Sequence, residues 1–113
     1  MKKIEAIIKP SKLSNVKDAL HEIGLSGMTV SDVKGFGRQR GQDGGLNSSP
    51  DYDDEFRVKI KIELIIEDKM VEKALEAIKN AAYSGKIGDG KIFVSSLEQV
   101  VRIRTGELNE DAL

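Results

Sequence analysis

The sequence has no cysteine and no tryptophan, and it holds only two prolines, one histidine, two tyrosines and three phenylalanines. Without cysteine the chain forms no disulfide and offers no thiolate to a metal. A single histidine also excludes a histidine-rich metal site within one chain. The scarcity of aromatic residues removes the side chains on which RNA-binding domains stack bases. Disulfide-stabilised, zinc-binding and base-stacking proteins are therefore poor candidates.

Charge of one sign and long apolar runs are missing as well. Lys and Arg number 18 against 19 Asp and Glu, which gives a net charge of -1. A protein that clamps nucleic acid needs surplus cations to displace counterions, so no nucleic-acid partner is expected. No apolar run approaches the roughly 20 residues that cross a bilayer, so no direct membrane insertion is expected. The first ten residues, MKKIEAIIKP, interrupt their apolar run with a charge, which indicates a strand instead of a signal peptide.

What is present suits one small globular domain over residues 1–113, expected in the cytoplasm. Hydrophobic residues make up 39% of the chain and charged residues 33%. A domain of this size buries roughly 65% of the surface that its unfolded chain exposes, which is enough for one modest core.

The beginning of the chain predicts a strand followed by a helix. Residues 3–9 place apolar side chains on one face and charged ones on the other, and Pro10 ends this strand. Ser11 is predicted to cap the helix, and Gly24 is predicted to end it in a left-handed conformation. The apolar stripe of the helix consists of Leu13, Val16, Leu20 and Ile23.

A second strand is predicted at residues 29–35, and no periodicity survives from there to about Glu55. This stretch holds five glycines, one proline and an acidic run at residues 51–55. A structureless loop of this length is uncommon in a compact domain and is usually functional or disordered, so we expect a mobile, solvent-exposed arm. The acidic run is interpreted as a solvated loop and not as a cation site.

The second half of the chain predicts a strand, a helix and one or two further strands. From Val58 to Ile66 apolar residues alternate with mostly charged ones, which indicates a half-buried antiparallel strand with its charges facing away from the helices. Asp68 is predicted to cap the second helix. A glycine-rich turn at 85–90 leads to a fourth strand at 91–96, a short fifth strand is predicted at 102–105, and a polar tail follows at 107–113. The stripe of the second helix is Val71, Ala74, Leu75, Ile78 and Ala82.

The order βαββαβ predicts an α+β fold. Both helices would pack on one side of an antiparallel sheet, which is the ferredoxin-like sandwich, with a long loop between strands 2 and 3. This architecture hosts many functions, so it assigns none by itself.

The glycine-rich turn is the first candidate for chemistry. Its sequence GKIGDGK at residues 85–91 matches seven positions of the phosphate-loop pattern, but Ile92 stands where that pattern requires a Ser or Thr hydroxyl for magnesium. The turn also follows a helix and enters a strand, which reverses the phosphate-loop context. Backbone N–H groups of such a turn can still converge on a phosphate, with Lys86 or Lys91 adding charge. The alternative is a tight turn that uses glycine only for its dihedral angles.

Two pairs of cations support an anionic ligand. Arg102 and Arg104 are two residues apart, so on a strand both guanidiniums would share a face and suit the oxygens of a polyphosphate. Lys59 and Lys61 share a face of the third strand in the same way. Each pair is equally compatible with a solvated strand surface. We identify no nucleophile with an adjacent base and no carboxylate pair, so catalysis is not expected.

Four segments resemble the PII family of nitrogen-regulatory signal-transduction proteins. They are IEAIIKP at 4–10, KGFGRQ at 34–39, SGKIGDGKIFV at 84–94 and RIRTGE at 102–107. The resemblance covers the chain apart from the arm. It implies a compact homotrimer of ferredoxin-like subunits with ATP or ADP bound in the clefts between neighbours, and it identifies the arm as the T-loop, at about residues 37–57.

The resemblance also implies the binding residues. Gln39 would ligate Mg²⁺ held by the ATP phosphates, and 2-oxoglutarate would chelate this metal while contacting Gln39, Lys59 and Gly88. The nucleotide would be bound by Thr29, Gly35, Gly37, Arg38, Gln39, Glu63, Ile65, Gly88, Asp89, Gly90, Lys91, Arg102 and Arg104.

By this resemblance the chain is a sensor and not an enzyme. ATP with 2-oxoglutarate, or ADP alone, would select different conformations of the arm, which would control an ammonium transporter, a nitrogenase or a nitrogen-assimilation enzyme. The arm departs from the family pattern: Tyr52 aligns near a tyrosine that is uridylylated in some relatives, but its neighbours differ, and Val58 replaces the usual proline. The competing hypotheses are a slow ATPase and an RNA-binding ferredoxin-like domain.

Overall fold

A computed structural model describes residues 1–36 and 57–113. The strands are β1 (Lys2–Ile8), β2 (Thr29–Gly35), β3 (Arg57–Ile66) and β4 (Lys91–Ser96), and the helices are α1 (Leu13–Glu22) and α2 (Val71–Ala82). Short 3-10 turns occupy Pro10–Lys12, Asp68–Met70 and Asn109–Ala112. Among the described residues, no helix combines the length and apolar character that crossing a membrane requires.

The four strands form one antiparallel sheet in the order β2-β3-β1-β4. The register sets Ile4 of β1 opposite Leu64 of β3 and Val94 of β4. The two strands with the most regular apolar alternation, β1 and β3, lie in the centre of the sheet. Each pairs its backbone N–H and C=O groups with a strand on both sides. This order, with both helices on one face, is the ferredoxin-like arrangement, and it confirms the α+β fold expected from the sequence.

The core lies between the sheet and the two helices. Strand residues two apart share a face of the sheet, and helix residues three or four apart share a face of the helix. The apolar positions of the sequence therefore converge in one layer. Val58, which the alternation also assigned to the strand's apolar face, is 58% exposed and lies outside the core. The buried core consists of Ile4, Ala6, Ile8, Val16, Leu20, Ile60, Ile62, Leu64, Ile66, Ala74, Ile78 and Ala82.

The opposite face of the sheet carries a lattice of alternating charges, as the sequence predicted. Lys3 Nζ lies 3.0 Å from Glu63 Oε2 and 3.5 Å from Glu5 Oε1, and Lys61 Nζ lies 3.4 Å from Glu5 Oε2. The hydrogen bond from Lys3 lowers the pKa of Glu63 below its ordinary value. The charges on this face are therefore paired with one another, and the opposite face forms the core.

Two predicted helix caps are wrong for the same reason. A 3-10 turn precedes each helix, so Lys12 and Met70 occupy the N-cap positions in place of Ser11 and Asp68. The Asp68 carboxylate instead accepts a hydrogen bond of 2.7 Å from the Met1 amino group. Pattern reasoning located the caps by residue type, but the extra turn places the N-cap one residue later at α1 and two residues later at α2.

The predicted fifth strand is also wrong. Val101 and Leu108 form an isolated antiparallel bridge, and residues 103–105 between them form a turn. Arg102 N–H donates to Glu107 O at 2.9 Å, and Gly106 N–H donates to Arg102 O at 2.7 Å. The segment folds back on itself locally, so it is no strand of the main sheet.

Gly24 ends α1 as predicted, with φ at 90°. Its N–H donates to His21 O, and Leu25 N–H donates to Leu20 O, each at 3.0 Å. These two bonds form a Schellman motif, which satisfies carbonyl groups at the end of the helix.

We expect Gly24→Ala to lower the free energy of unfolding by about 1 kcal/mol, because a Cβ strains the left-handed conformation. Gly27→Ala is the matched control: it lies in the same connection, its φ is outside the left-handed region, and a Cβ there meets no described atom within 4 Å. Urea denaturation measures both. An equal change in the two variants would contradict the assigned role of Gly24.

Candidate functional site

Three glycines shape the turn at residues 85–90, which joins α2 to β4. Gly85, Gly88 and Gly90 have φ angles of 83°, 102° and 98°. A Cβ on Gly90 would lie 1.7 Å from the carbonyl oxygen of Ile7, a backbone atom of β1 that cannot swing away. The turn therefore needs glycine at position 90 for space as well as for its dihedral angle.

The Asp89 carboxylate holds the turn together from inside. Its Oδ2 accepts hydrogen bonds from the N–H groups of Ser84 at 2.8 Å and Gly85 at 2.9 Å, and its Oδ1 accepts one from the Ser84 hydroxyl. Partial burial acts to raise the pKa of Asp89, but the hydrogen bonds from Ser84 and Gly85 together outweigh it and hold the pKa well below its ordinary value. Asp89 is thus ionised across the physiological range, and its side chain contacts the turn itself.

The same turn leaves a row of backbone donors available. Within residues 1–36 and 57–113, the N–H groups of Ile87, Gly88 and Asp89 donate to no protein acceptor. Successive N–H groups in a glycine-rich turn form a concavity that suits an anion, because each contributes a partial positive charge. The open donors therefore make this turn a candidate for binding a phosphate or carboxylate.

Lys59 links the sheet to this turn. Its ammonium donates to Gly88 O at 2.9 Å, and the residue is only 8% exposed. A Cβ on Gly35, in the neighbouring strand β2, would touch Lys59 Cγ at 3.4 Å, so glycine there leaves room for the lysine stem. The structure therefore brings Gly35, Lys59 and Gly88 together, and Lys91 follows directly at the start of β4.

Other predicted binding residues form a second patch on the same face of the sheet. Thr29 and Glu63 are partners across β2 and β3, and Ile65 lies two residues further along. Glu63 lies four residue steps along β3 from Lys59, a distance of about 13 Å. Within one chain, this patch is too far from Lys59 for direct contact.

The two arginines do not share a strand face, because the strand predicted for them is absent from the described fold. The Arg102 guanidinium donates to the backbone oxygens of Ala112 and Leu113 at 3.2 and 3.1 Å, and its Nε lies 3.8 Å from Glu107 Oε1. Arg104 lies in the exposed turn. Their part in nucleotide binding stays a prediction.

Some expected residues lie outside the part of the chain that the structure describes: Gly37, Arg38, Gln39 and Tyr52. Gln39 is the one magnesium ligand that the family resemblance implies. Within the described ranges, no group of three or more His, Cys, Asp or Glu residues could hold a metal ion.

Sequence reasoning missed two residues of the turn network. Lys9 Nζ lies 3.2 Å from Ser84 Oγ and 3.3 Å from Asp89 Oδ1. Lys9 and Ser84 both stood in segments singled out above, but neither received a role. The available signal was the position of Lys9 at the end of β1, next to the proline that turns the chain.

We expect Gly90→Ala to be far more disruptive than Gly106→Ala. Both glycines have a positive φ, but a Cβ on Gly106 meets no described atom within 4 Å, whereas one on Gly90 collides with the Ile7 backbone. Gly106→Ala should cost about 1 kcal/mol of strain, and Gly90→Ala should cost more, with loss of the native shape of the turn. Urea denaturation and amide chemical shifts at residues 84–91 measure the difference, and equal effects would show that the contact with Ile7 is unimportant.

Comparison with known proteins agrees with the fold. The family model described as "Nitrogen regulatory protein P-II" matches residues 1–107. Proteins named "Nitrogen regulatory protein P-II" from Rhodospirillum rubrum and Azospirillum brasilense are 60% and 58% identical to this chain over 113 residues, covering 100% of both sequences in each case.

The solved structures include a similar fold. The crystal structure of Arabidopsis thaliana PII bound to citrate superposes with a TM-score of 0.80 at 38% identity, covering 99% of this chain and 91% of that one. On the family match and these identities, the chain belongs to the P-II family of nitrogen regulatory proteins.

Proposed function

We propose that the chain is a sensor of cellular energy, carbon and nitrogen status that binds ATP or ADP and, with MgATP, 2-oxoglutarate. One observation supports this above the others: the turn that holds the open N–H groups of Ile87, Gly88 and Asp89 also contacts the Lys59 ammonium, which donates to Gly88 O at 2.9 Å. Amides and a cation at one turn suit phosphate and carboxylate oxygens. The Arabidopsis relative binds citrate in its crystal structure, and citrate is a carboxylate anion, which supports the same class of ligand.

The nucleotide site would be completed by a second subunit. Lys59, which contacts the turn, and Glu63 of the patch are about 13 Å apart along β3, so one chain cannot bring both against a single phosphate group. A neighbouring copy could bring its patch, with Arg102 and Arg104, against the turn of the first. We therefore propose a homotrimer with ATP or ADP in each cleft. Gly37, Arg38 and Gln39 would close the site at the base of the arm, and the phosphates would be wrapped by Gly88, Asp89, Gly90 and Lys91.

The sheet face opposite the helices supports such an assembly. Its apolar side chains include Ile65 and Phe93, which are 36% and 52% exposed in the single chain. The charged residues between them are already paired with one another, as in the contacts of Lys3 with Glu5 and Glu63. A face with apolar side chains and self-neutralised charges can be covered by another copy at a lower desolvation cost than a face with unpaired charges.

The metal and 2-oxoglutarate would bind next to the phosphates. Gln39 has an amide oxygen of the kind that Mg²⁺ accepts. The Lys59 ammonium would pair with a carboxylate of 2-oxoglutarate, and Gly88 would contact the same ligand. The magnesium would complete this site, so we expect the binding of 2-oxoglutarate to depend on MgATP.

The output would be a protein contact and not a chemical reaction. The arm would present different surfaces in the ATP and ADP states to a target such as an ammonium transporter, a nitrogenase or a nitrogen-assimilation enzyme in the cytoplasm, where these metabolites occur. Because coupling between two ligands is reciprocal, a target that prefers the ADP state must weaken 2-oxoglutarate binding by the same factor. The relatives are named as regulatory proteins, which supports regulation over catalysis. Tyr52 is the residue of the arm at which modification would be sought first.

We expect isothermal calorimetry to detect 2-oxoglutarate binding only when MgATP is present. The reason is that the metal supplies the chelation that Lys59 and Gly88 cannot provide. ADP with Mg²⁺ is the matched nucleotide control. Equal affinity for 2-oxoglutarate with and without ATP would remove the metal from the proposed site.

We expect Lys59→Met to weaken 2-oxoglutarate binding by a factor of about 10 to 100, because hydrogen bonds to charged groups contribute about 1.5–3 kcal/mol. ATP binding should change much less. Lys73→Met removes the same charge from an exposed position on α2 and serves as the control. Calorimetry at saturating MgATP measures all three proteins, and a Lys59→Met variant with normal 2-oxoglutarate affinity would contradict the assignment.

A further inference from the structure

Lys9 joins the two ends of the glycine turn. It follows β1, and its ammonium lies 3.2 Å from the hydroxyl of Ser84, at the start of the turn, and 3.3 Å from Asp89, near its end. The side chains of Lys9 and Asp89 are 20% and 22% exposed, so water screens this contact only in part. A charge pair with this degree of burial is stronger than a fully solvated one.

The end of β1 shapes the turn at a second point. The carbonyl oxygen of Ile7 faces Gly90 so closely that a Cβ there would lie 1.7 Å from it. Ile7 in β1 and Lys9 just after it therefore both hold the turn. Ile7 does so by backbone packing and Lys9 through its charged side chain. The location of the turn relative to the sheet is set by this strand end.

The turn also contains an electrostatic conflict. Its open N–H groups at Ile87, Gly88 and Asp89 suit an anion, but the ionised Asp89 carboxylate belongs to the same turn. A like charge close to an arriving phosphate is repulsive unless something neutralises it. Among the described residues, Lys9 is the cation in direct contact with this carboxylate.

We propose that Lys9 is a positioning residue for the anion site: it ties Ser84 to Asp89 and neutralises the Asp89 carboxylate, so that the open N–H groups of the turn can bind phosphate. This inference rests on the proposed nucleotide binding. Lys9 acts through Asp89 and the turn, without a contact of its own to the ligand.

The first test is calorimetry of ATP binding to the full chain. Lys9→Met should weaken ATP binding about tenfold, in line with the loss of one charged hydrogen-bond partner. Lys9→Arg keeps the charge and should recover most of the affinity, while Lys17→Met, at an exposed position of α1, should bind like the wild type. Wild-type affinity in Lys9→Met would overturn the proposal.

A double variant separates the electrostatic role from a structural one. In Lys9→Met/Asp89→Asn the carboxylate charge is gone, yet the Asn side-chain oxygen can still accept a hydrogen bond from the turn. If Lys9 acts by neutralising Asp89, the double variant should bind ATP more tightly than Lys9→Met alone. If Lys9 is only a structural support, the second change adds damage and the double variant binds more weakly, which would overturn the electrostatic role.

Hydrogen exchange of the ligand-free protein tests the turn independently of nucleotide. Lys9→Met should exchange the amides of Ser84 and Gly85 about tenfold faster, because their acceptor Asp89 is less firmly held. A wild-type protein that fails to bind ATP would refute the proposed function, and exchange at these two amides would still decide whether Lys9 positions the turn. Unchanged exchange in Lys9→Met would overturn that positioning.

Discussion

The hydrogen bonds from Ser84 and Gly85 to the Asp89 carboxylate, at 2.8 and 2.9 Å, decide the form of the candidate site. This carboxylate accepts hydrogen bonds from the N–H groups at the beginning of the turn. The N–H groups of Ile87, Gly88 and Asp89 do not bond to it. The pairing with Lys9 and the packing of Gly90 on the Ile7 carbonyl then fix this arrangement on β1. A turn that is held by its own carboxylate can be preorganised before a ligand arrives, which lowers the entropic cost of binding.

The two faces of the sheet divide the tasks of stability and binding. One face packs its isoleucines and leucines against α1 and α2 and forms the core. The other carries paired charges, exposed apolar side chains and the patch around Glu63, and Lys59 enters the turn from this side. The period of two along a strand produces this division, because neighbouring residues of β3 must point to opposite faces. A single strand therefore contributes both to folding and to the candidate site.

The positions of the strands and helices were predictable, while several details at their ends were not. Residues 29–35 and 91–96 match β2 and β4, and Gly24 ends α1 as expected. These successes rest on local properties: side-chain period, β-branching and the freedom of glycine. Ser11 and Asp68 were wrongly predicted as caps because a 3-10 turn and an ordinary first helical turn suit the same residues. The strand predicted for Arg102 failed since local backbone bonds to Glu107 and Gly106 compete with sheet pairing.

The sequence by itself determined the α+β class, the order of the elements, the apolar core and the glycine turn as an anion-binding candidate, because each depends on residues close together in the chain. Only the tertiary structure decided that Lys59 reaches Gly88, that Lys9 pairs with Asp89 and that Ile7 excludes a side chain at position 90. These contacts join residues 29 to 83 positions apart, counted from Lys59 to Gly88 and from Ile7 to Gly90. Local periodicity carries no information about such distances, since strand pairing sets them once the whole sheet has formed.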